Sequence, residues 1–266
     1  MSREAARGDG DRLDGARSPT RKVLPVDDSQ PRFLDDVSVE LVKHSASDSD
    51  VLWAARVSTA GEQSIEEIHK DPERSKGLIN YLMRDRHGSP FEHNSMTFLV
   101  KAPIFVFREF HRHRVGWSYN EESGRYRELQ PDFYVPGAER KLVQEGRPGK
   151  YVFVEGTEEQ HKIVTEAMEA SYRQSYAAYQ EMLEAGVARE VARAVLPVGL
   201  FSSMYATCNA RSLMHFLSLR TKNEQARVPS FPQREIEMVA EKMEAAWSAL
   251  MPLTHAAFVA NGRVAP

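Results

Sequence analysis

Apolar and polar residues alternate along Val37-Ser38-Val39-Glu40-Leu41-Val42, the period of a half-buried strand. A helical pattern follows, with Leu52, Ala55 and Arg56 on successive turns. Asp48 or Ser49 is expected to cap it, and the backbone to change direction at Ser58 and Thr59. Asp71-Pro72-Glu73 predicts an N-cap with proline at the first helical position. That helix should run to about Arg86 and stop at His87-Gly88-Ser89-Pro90, with Gly88 left-handed and Pro90 barring continuation. Met96 to Val100 reads as a strand and Pro103 to His111 as a short apolar helix. From Pro131 to Gly156 the chain reads as irregular, with Gly146-Arg147-Pro148-Gly149 an exposed excursion.

Thr157-Glu158-Glu159-Gln160 is a capping box. It opens a helix whose stripe of Met168, Tyr172, Tyr176, Tyr179 and Leu183 predicts core or subunit interface up to Gly186. A short helix carries Arg189 and Arg193 one turn apart before Pro197. Asn209 can cap a helix ending near Arg220, and Ser230-Phe231-Pro232-Gln233 begins the last long one. Nothing repeats. Long helices with several short strands predict an α+β fold.

Residues 1–34 are rich in Arg, Asp, Gly, Ser and Pro, without apolar period, and are expected to be a flexible extension before one domain over 35–266. A hydrophobic share of 41% can supply a core. The net charge of −3 and a pI near 6.3 argue against bulk nucleic-acid binding, so the ligand is expected to be small. Cys208 is the only cysteine, which excludes an intrachain disulfide framework and fits a reducing cytoplasm. No apolar run has the length of a membrane span, and no signal-peptide core is evident.

The densest chemistry lies in Arg112-His113-Arg114-Val115-Gly116-Trp117-Ser118-Tyr119-Asn120-Glu121-Glu122-Ser123-Gly124-Arg125-Tyr126-Arg127. Arginine forks match phosphate oxygens in pairs, while Ser, Asn and Glu can read the edge of a heterocycle. A phosphorylated, ring-bearing ligand is the reading these residues support. Elsewhere the bland alternatives stand. Arg193 at this spacing suits an ion pair with Glu190, and Arg220 at a helix end complements the dipole. His87, His93, His111 and His113 lack the spacing of a zinc site, so no metal is expected.

Arg-His-Arg followed by Ser-Tyr-Asn-Glu-x-Ser-x-Arg-Tyr resembles the signature of the flavin-dependent thymidylate synthases, the ThyX family. The likeness extends from about Val37 to the end, through Ala54-Ala55-Arg56-Val57-Ser58, Ser89-Pro90-Phe91-Glu92-His93, Arg189-Glu190-Val191-Ala192-Arg193 and Asn209-Ala210-Arg211-Ser212-Leu213-Met214. It departs at one point: the spacing from Arg114 to Ser123 is one residue longer than in many members, Trp117 being the extra residue.

The resemblance implies a twisted antiparallel sheet flanked by helices, and a homotetramer whose sites collect residues from several subunits. It implies C5 methylation of dUMP, with methylenetetrahydrofolate as carbon donor and NADPH as reductant through FAD. By the same carry-over Ser58, His87, Ser89, Glu92, Arg112, His113, Arg114, Glu121, Asn209, Arg211 and His215 face the flavin. Glu109, Arg112, Glu121, Glu122, Ser123, Gly124, Arg125, Arg193 and Arg220 face the nucleotide, with Arg193 coming from a neighbouring subunit and Arg220 lying against the uracil. Arg220 is the expected catalytic group; Ser123 is a second candidate, though no base is evident beside it. Glu109 replaces the glutamine of some members and His215 an asparagine.

The chain also resembles a polyoxin-pathway branch of the family that methylates UMP as well as dUMP, with its long N-terminal extension and residues such as His111, Asn223 and His255. A rival of another class is a non-catalytic nucleotide- or RNA-binding protein, using Trp117, Tyr119 and Tyr126 as stacking surfaces. Cys208, in an apolar run, reads as buried filler.

Overall fold

The computed structural model describes residues 30–61, 71–147 and 150–266. Its strands are β1 (Arg32–Leu34), β2 (Ser38–Ser45), β3 (Ser95–Pro103), β4 (Trp117–Glu121), β5 (Asp132–Tyr134), β6 (Val143–Arg147), β7 (Lys150–Val154) and β8 (Phe201–Cys208). Its helices are α1 (Asp48–Ala60), α2 (Pro72–Arg84), α3 (Ile104–Phe110), α4 (Glu158–Glu184), α5 (Arg189–Ala192), α6 (Ala210–Arg220), α7 (Arg234–Leu250) and α8 (Pro252–Ala260). Of the expected extension, residues 1–29 lie outside the described residues, while Arg32–Leu34 form β1, paired in parallel with β5.

Four strands make an antiparallel sheet in the order β2-β3-β8-β4. On β3 the alternation puts Met96, Phe98, Val100 and Ala102 on one fully buried face. Phe98 pairs with Ala206 of β8, and that face packs with Leu213, Phe216 and Leu217 of α6 and Val239, Met243 and Trp247 of α7 in one core. Each such side chain removed from water stabilises the fold by roughly 1.5–3 kcal/mol. The tyrosine stripe of α4 is core rather than subunit interface. Tyr172, Tyr176 and Tyr179 are buried in a second cluster with Leu129, Phe133 and Leu200, and Phe133 stacks on Tyr172 at 4.8 Å.

Several local expectations are corrected. The N-cap of α1 is Ser47, whose backbone N–H and hydroxyl both donate to Asp50, and α1 continues through Ser58 and Thr59. Asp48 instead accepts from the Leu253 and Thr254 N–H groups and the Thr254 hydroxyl, capping α8 from across the fold. After α2 the left-handed residue is Arg86, at φ 64°, whereas Gly88 is right-handed at φ −77°. The absence of a side chain at 88 makes room for Arg211, since a Cβ there would sit 2.5 Å from its Cζ and displace the guanidinium. The stretch read as irregular contains β5 and the β6–β7 hairpin, whose short strands give the alternation too little length to register. Pro148 and Gly149, the expected excursion's tip, lie outside the described residues. As expected, Ser230-Phe231-Pro232-Gln233 leads into α7, with Gln233 at the N-cap and the Ser230 hydroxyl donating to the Thr221 carbonyl. A further helix, α8, begins at Pro252.

Candidate functional site

The arginine-rich stretch follows α3; its middle, Trp117–Glu121, is strand β4, and from Glu122 to Arg127 it is a turn. Three contacts fix it. The Tyr119 hydroxyl lies 2.8 Å from the His113 carbonyl and 3.0 Å from that of Phe110, so one O–H holds the turn against the strand. The Ser212 hydroxyl donates to the Val115 carbonyl at 2.9 Å, tying the turn to the first turn of α6. Gly116 makes that approach possible: at φ 70° it is left-handed, and a Cβ would stand 2.1 Å from the Ser212 Oγ. Beneath, Trp117 stacks on Tyr119 at 5.6 Å and Phe110 on Phe216 at 4.8 Å. Trp117 and Tyr119 are half-buried, which leaves only Tyr126 of the proposed stacking surfaces well exposed.

Arg220 ends α6 with its guanidinium turned back across α3. Its Nη1 pairs with the Glu109 carboxylate, its Nη2 lies 3.3 Å from the Glu109 carbonyl, and its Nε donates to His113 Nε2 at 3.1 Å. Burial, the Arg220 charge and His215 push the His113 pKa down to about 4, so the imidazole is neutral and able to accept. Burial raises the Glu109 carboxyl, outweighing the nearby Arg220. At its other edge His113 lines a cavity of about 470 Å³ with Glu92, Arg114, Trp117, Asn209, Arg211 and His215. Burial, then Arg211 and Arg86, lowers the His215 pKa.

Six of the expected flavin residues, Glu92, His113, Arg114, Asn209, Arg211 and His215, thus share one cavity. Glu92 is committed to Arg211 in an ion pair of 2.5 Å, and Asn209 caps α6 through the Ser212 N–H. Ser58, His87, Ser89, Arg112 and Glu121 do not line it. The Ser58 hydroxyl donates to the Ala55 carbonyl, and His87 stacks on Tyr81 at 5.6 Å. The cavity's donor set, two guanidiniums and an amide beside a helix start, fits the phosphate-bearing part of a flavin dinucleotide, and its volume is that of a ligand site. Among the described residues no group of His, Cys, Asp and Glu is arranged to hold a metal ion.

Arg112 stays in the turn after α3, its N–H donating to the Glu109 carbonyl at 3.3 Å, and Glu121 ends β4; Glu122, Ser123, Gly124, Arg125 and Arg193 gather beyond the far end of that strand, whose five residues extend about 16 Å. Arg125 pairs with Glu190 at 3.1 Å, Arg127 with Glu122 at 3.0 Å, and the Ser123 Oγ accepts from the Arg125 N–H at 3.3 Å. Gly124 is buried against Leu129 and the Arg193 stem of the same chain. Arg193 therefore does not take the Glu190 pairing its spacing suggested; it makes no ion pair among the described residues.

The family described as thymidylate synthase complementing protein matches residues 40–253. Flavin-dependent thymidylate synthases of Streptomyces avermitilis and Streptomyces coelicolor are 81% and 80% identical to this chain, each over 91% of it and over 98% and 99% of their own lengths. The solved structure of a UMP/dUMP methylase, PolB from Streptomyces cacaoi, bound with 5-Br dUMP is 58% identical, covers 88% of this chain and 99% of that one, and matches with a TM-score of 0.83. Its counterpart bound with 5-Br UMP is 57% identical, with coverage of 89% and 99% and a TM-score of 0.82.

Proposed function

This chain belongs to the thymidylate synthase complementing protein family, and from that premise we propose that it is a flavin-dependent enzyme methylating uridylate at C5, converting dUMP to thymidylate. The observation that carries the reading is the position of His113. One face of this residue lines a cavity suited to a phosphate-bearing cofactor, and its Nε2 accepts from Arg220, the group proposed to meet the pyrimidine. Cofactor and substrate are thereby joined through one neutral ring.

Arg114 and Arg211 would hold the anionic part of FAD, with Asn209 and His215 beside them. FAD supplies reducing equivalents when bound, NADPH renews them, and methylenetetrahydrofolate supplies the carbon. Arg220 would face the uracil. A guanidinium already oriented by Glu109 and His113 stabilises the negative charge that builds in the ring as C5 becomes nucleophilic, an effect worth roughly 3–4 kcal/mol. Arg125 and Arg193, with Ser123 and Gly124, would receive the nucleotide phosphate. Because β4 separates them from Arg220, a complete site is assembled from more than one copy of the chain, consistent with a homotetramer.

The experiment is an absorbance spectrum of the purified protein followed by an assay for thymidylate with dUMP, methylenetetrahydrofolate and NADPH. A flavin band and product are expected. No flavin band even after FAD is added would falsify the assignment and favour a non-catalytic nucleotide-binding role. A second reading, methylation of UMP as well, is favoured by the likeness to the UMP/dUMP methylase.

A further inference from the structure

We propose that the last four residues of the sequence, Arg263 to Pro266, form a strap that fixes the aim of Arg211, with Glu244 as its anchor and Gly88 as the space it needs. The inference rests on the reading of the Arg211 cavity as the flavin site.

Arg211 is constrained on three sides. Its Nε donates to the Pro266 backbone oxygen at 2.7 Å, and its Nη1 to Glu92 at 2.5 Å. Gly88 lies flush beneath the guanidinium, and a Cβ there would meet Cζ and Nε at 2.5 Å and Nη2 at 2.8 Å. A guanidinium has five N–H donors. Those on Nε and one on Nη1 are spent, which leaves both on Nη2 and one on Nη1 as a fork for an anion in the cavity that Arg211 lines.

The strap is itself held hard. Arg263 is buried and grips Glu244 with both Nη atoms at 2.7 Å, while Nη2 also donates to the Thr221 hydroxyl at 2.8 Å. Its backbone is left-handed at φ 56°, and its carbonyl accepts from the Ser218 hydroxyl at 2.7 Å. Ala265 is 2% exposed. The segment therefore runs along α6 from Thr221, just past its end, to Arg211, near its start. An unrestrained arginine loses rotamer freedom when it takes an anion; here that loss occurs on folding, which leaves more of the contact energy for the ligand. Glu92, expected as a flavin contact, is on this account a positioning residue acting through Arg211.

The test is a pair of double-mutant cycles on the full-length protein, reading the Kd for FAD by flavin fluorescence. Deletion of Pro266 and Gly88→Ala are each made in the parent and in Arg211→Ala, with thermal unfolding recorded without FAD. Each should weaken FAD about tenfold in the parent and less than about twofold in the Arg211→Ala background, the loss typical of one charge-assisted contact. The dUMP Kd should not change. Equal losses in both backgrounds, or no loss in the parent, overturn the strap. If Arg211→Ala binds FAD as tightly as the parent, the placement of the flavin fails first and the strap with it. A parent protein that binds no FAD overturns the functional reading itself.

Discussion

Arg220 donates from Nε to Nε2 of His113 at 3.1 Å, which requires that this ring nitrogen carry no proton. Since burial holds the His113 pKa at about 4, below the ordinary 6.5, the unfolded chain binds the proton more readily than the folded one between those values. The stability contribution is therefore complete above pH 6.5 and lost as the pH falls towards 4, by a few kcal/mol, on the order of 3. Urea unfolding at pH 7 and pH 5 should show the parent losing more stability than His113→Asn. Equal losses would remove the assignment of this histidine as a buried neutral acceptor.

Arg220→Ala should leave FAD bound and cut turnover by about 10²–10³-fold, because its role is exerted on the pyrimidine rather than the cofactor. Flavin content and single-turnover oxidation of the reduced enzyme by folate and dUMP measure the two separately. A variant that loses flavin but turns over its residual complexes normally would reverse the roles.

Asp48→Ala tests a contact that joins positions far apart in the chain. This carboxylate caps α8 through the Leu253 and Thr254 N–H groups, so its loss should cost about 1–2 kcal/mol and lower the Tm by roughly 2–8 °C. Flavin affinity should be untouched. A Tm within about 1 °C of the parent would show that Met251 and solvent suffice as the cap.

What the sequence made legible follows from range. The α4 capping box, the Asp71-Pro72 start and the Asn209 cap involve neighbours three residues apart or fewer, and all stand as expected. Asp48 was expected to serve its own helix, and only the tertiary fold brings α8 onto it. The same holds within the site. The motif identified His113, Arg114 and Arg211, but their shared cavity depends on Gly116 admitting Ser212, a contact between α6 and the turn before β4. Trp117 was visible as an extra residue, and its stacking on Tyr119 follows from strand geometry, in which residues two apart share a face. Pro266 gave no sequence signal.

Cys208→Ala should keep activity within about threefold. The thiol is 3% exposed at the end of β8, opposite Met96 and Trp117, and burial pushes its pKa far up, so no thiolate is available as a nucleophile. A small cavity should cost about 1 kcal/mol. A loss beyond about a hundredfold in folded, flavin-loaded protein would restore covalent catalysis by this thiol.

The last prediction concerns the sugar. Of the residues that suggested the ribonucleotide branch, His255 is bound to Glu244 at 2.8 Å and edge-on to Trp247, and the Asn223 side chain accepts from the Gln225 N–H at 2.8 Å. Both have structural work away from the cavity. Only His111, exposed and edge-on to Tyr119 at 5.3 Å, adjoins the arginine-rich stretch. The 81% identity to a thymidylate synthase also exceeds the 58% to the UMP/dUMP methylase. Yet a pocket that merely crowds one added hydroxyl discriminates by only about a hundredfold, so UMP should be a secondary substrate behind dUMP. The measurement is kcat/KM for both nucleotides at saturating folate and NADPH, in the parent and in His111→Ala. UMP below about a thousandth of dUMP exceeds what crowding alone provides and would require a dedicated contact that rejects the 2′-hydroxyl.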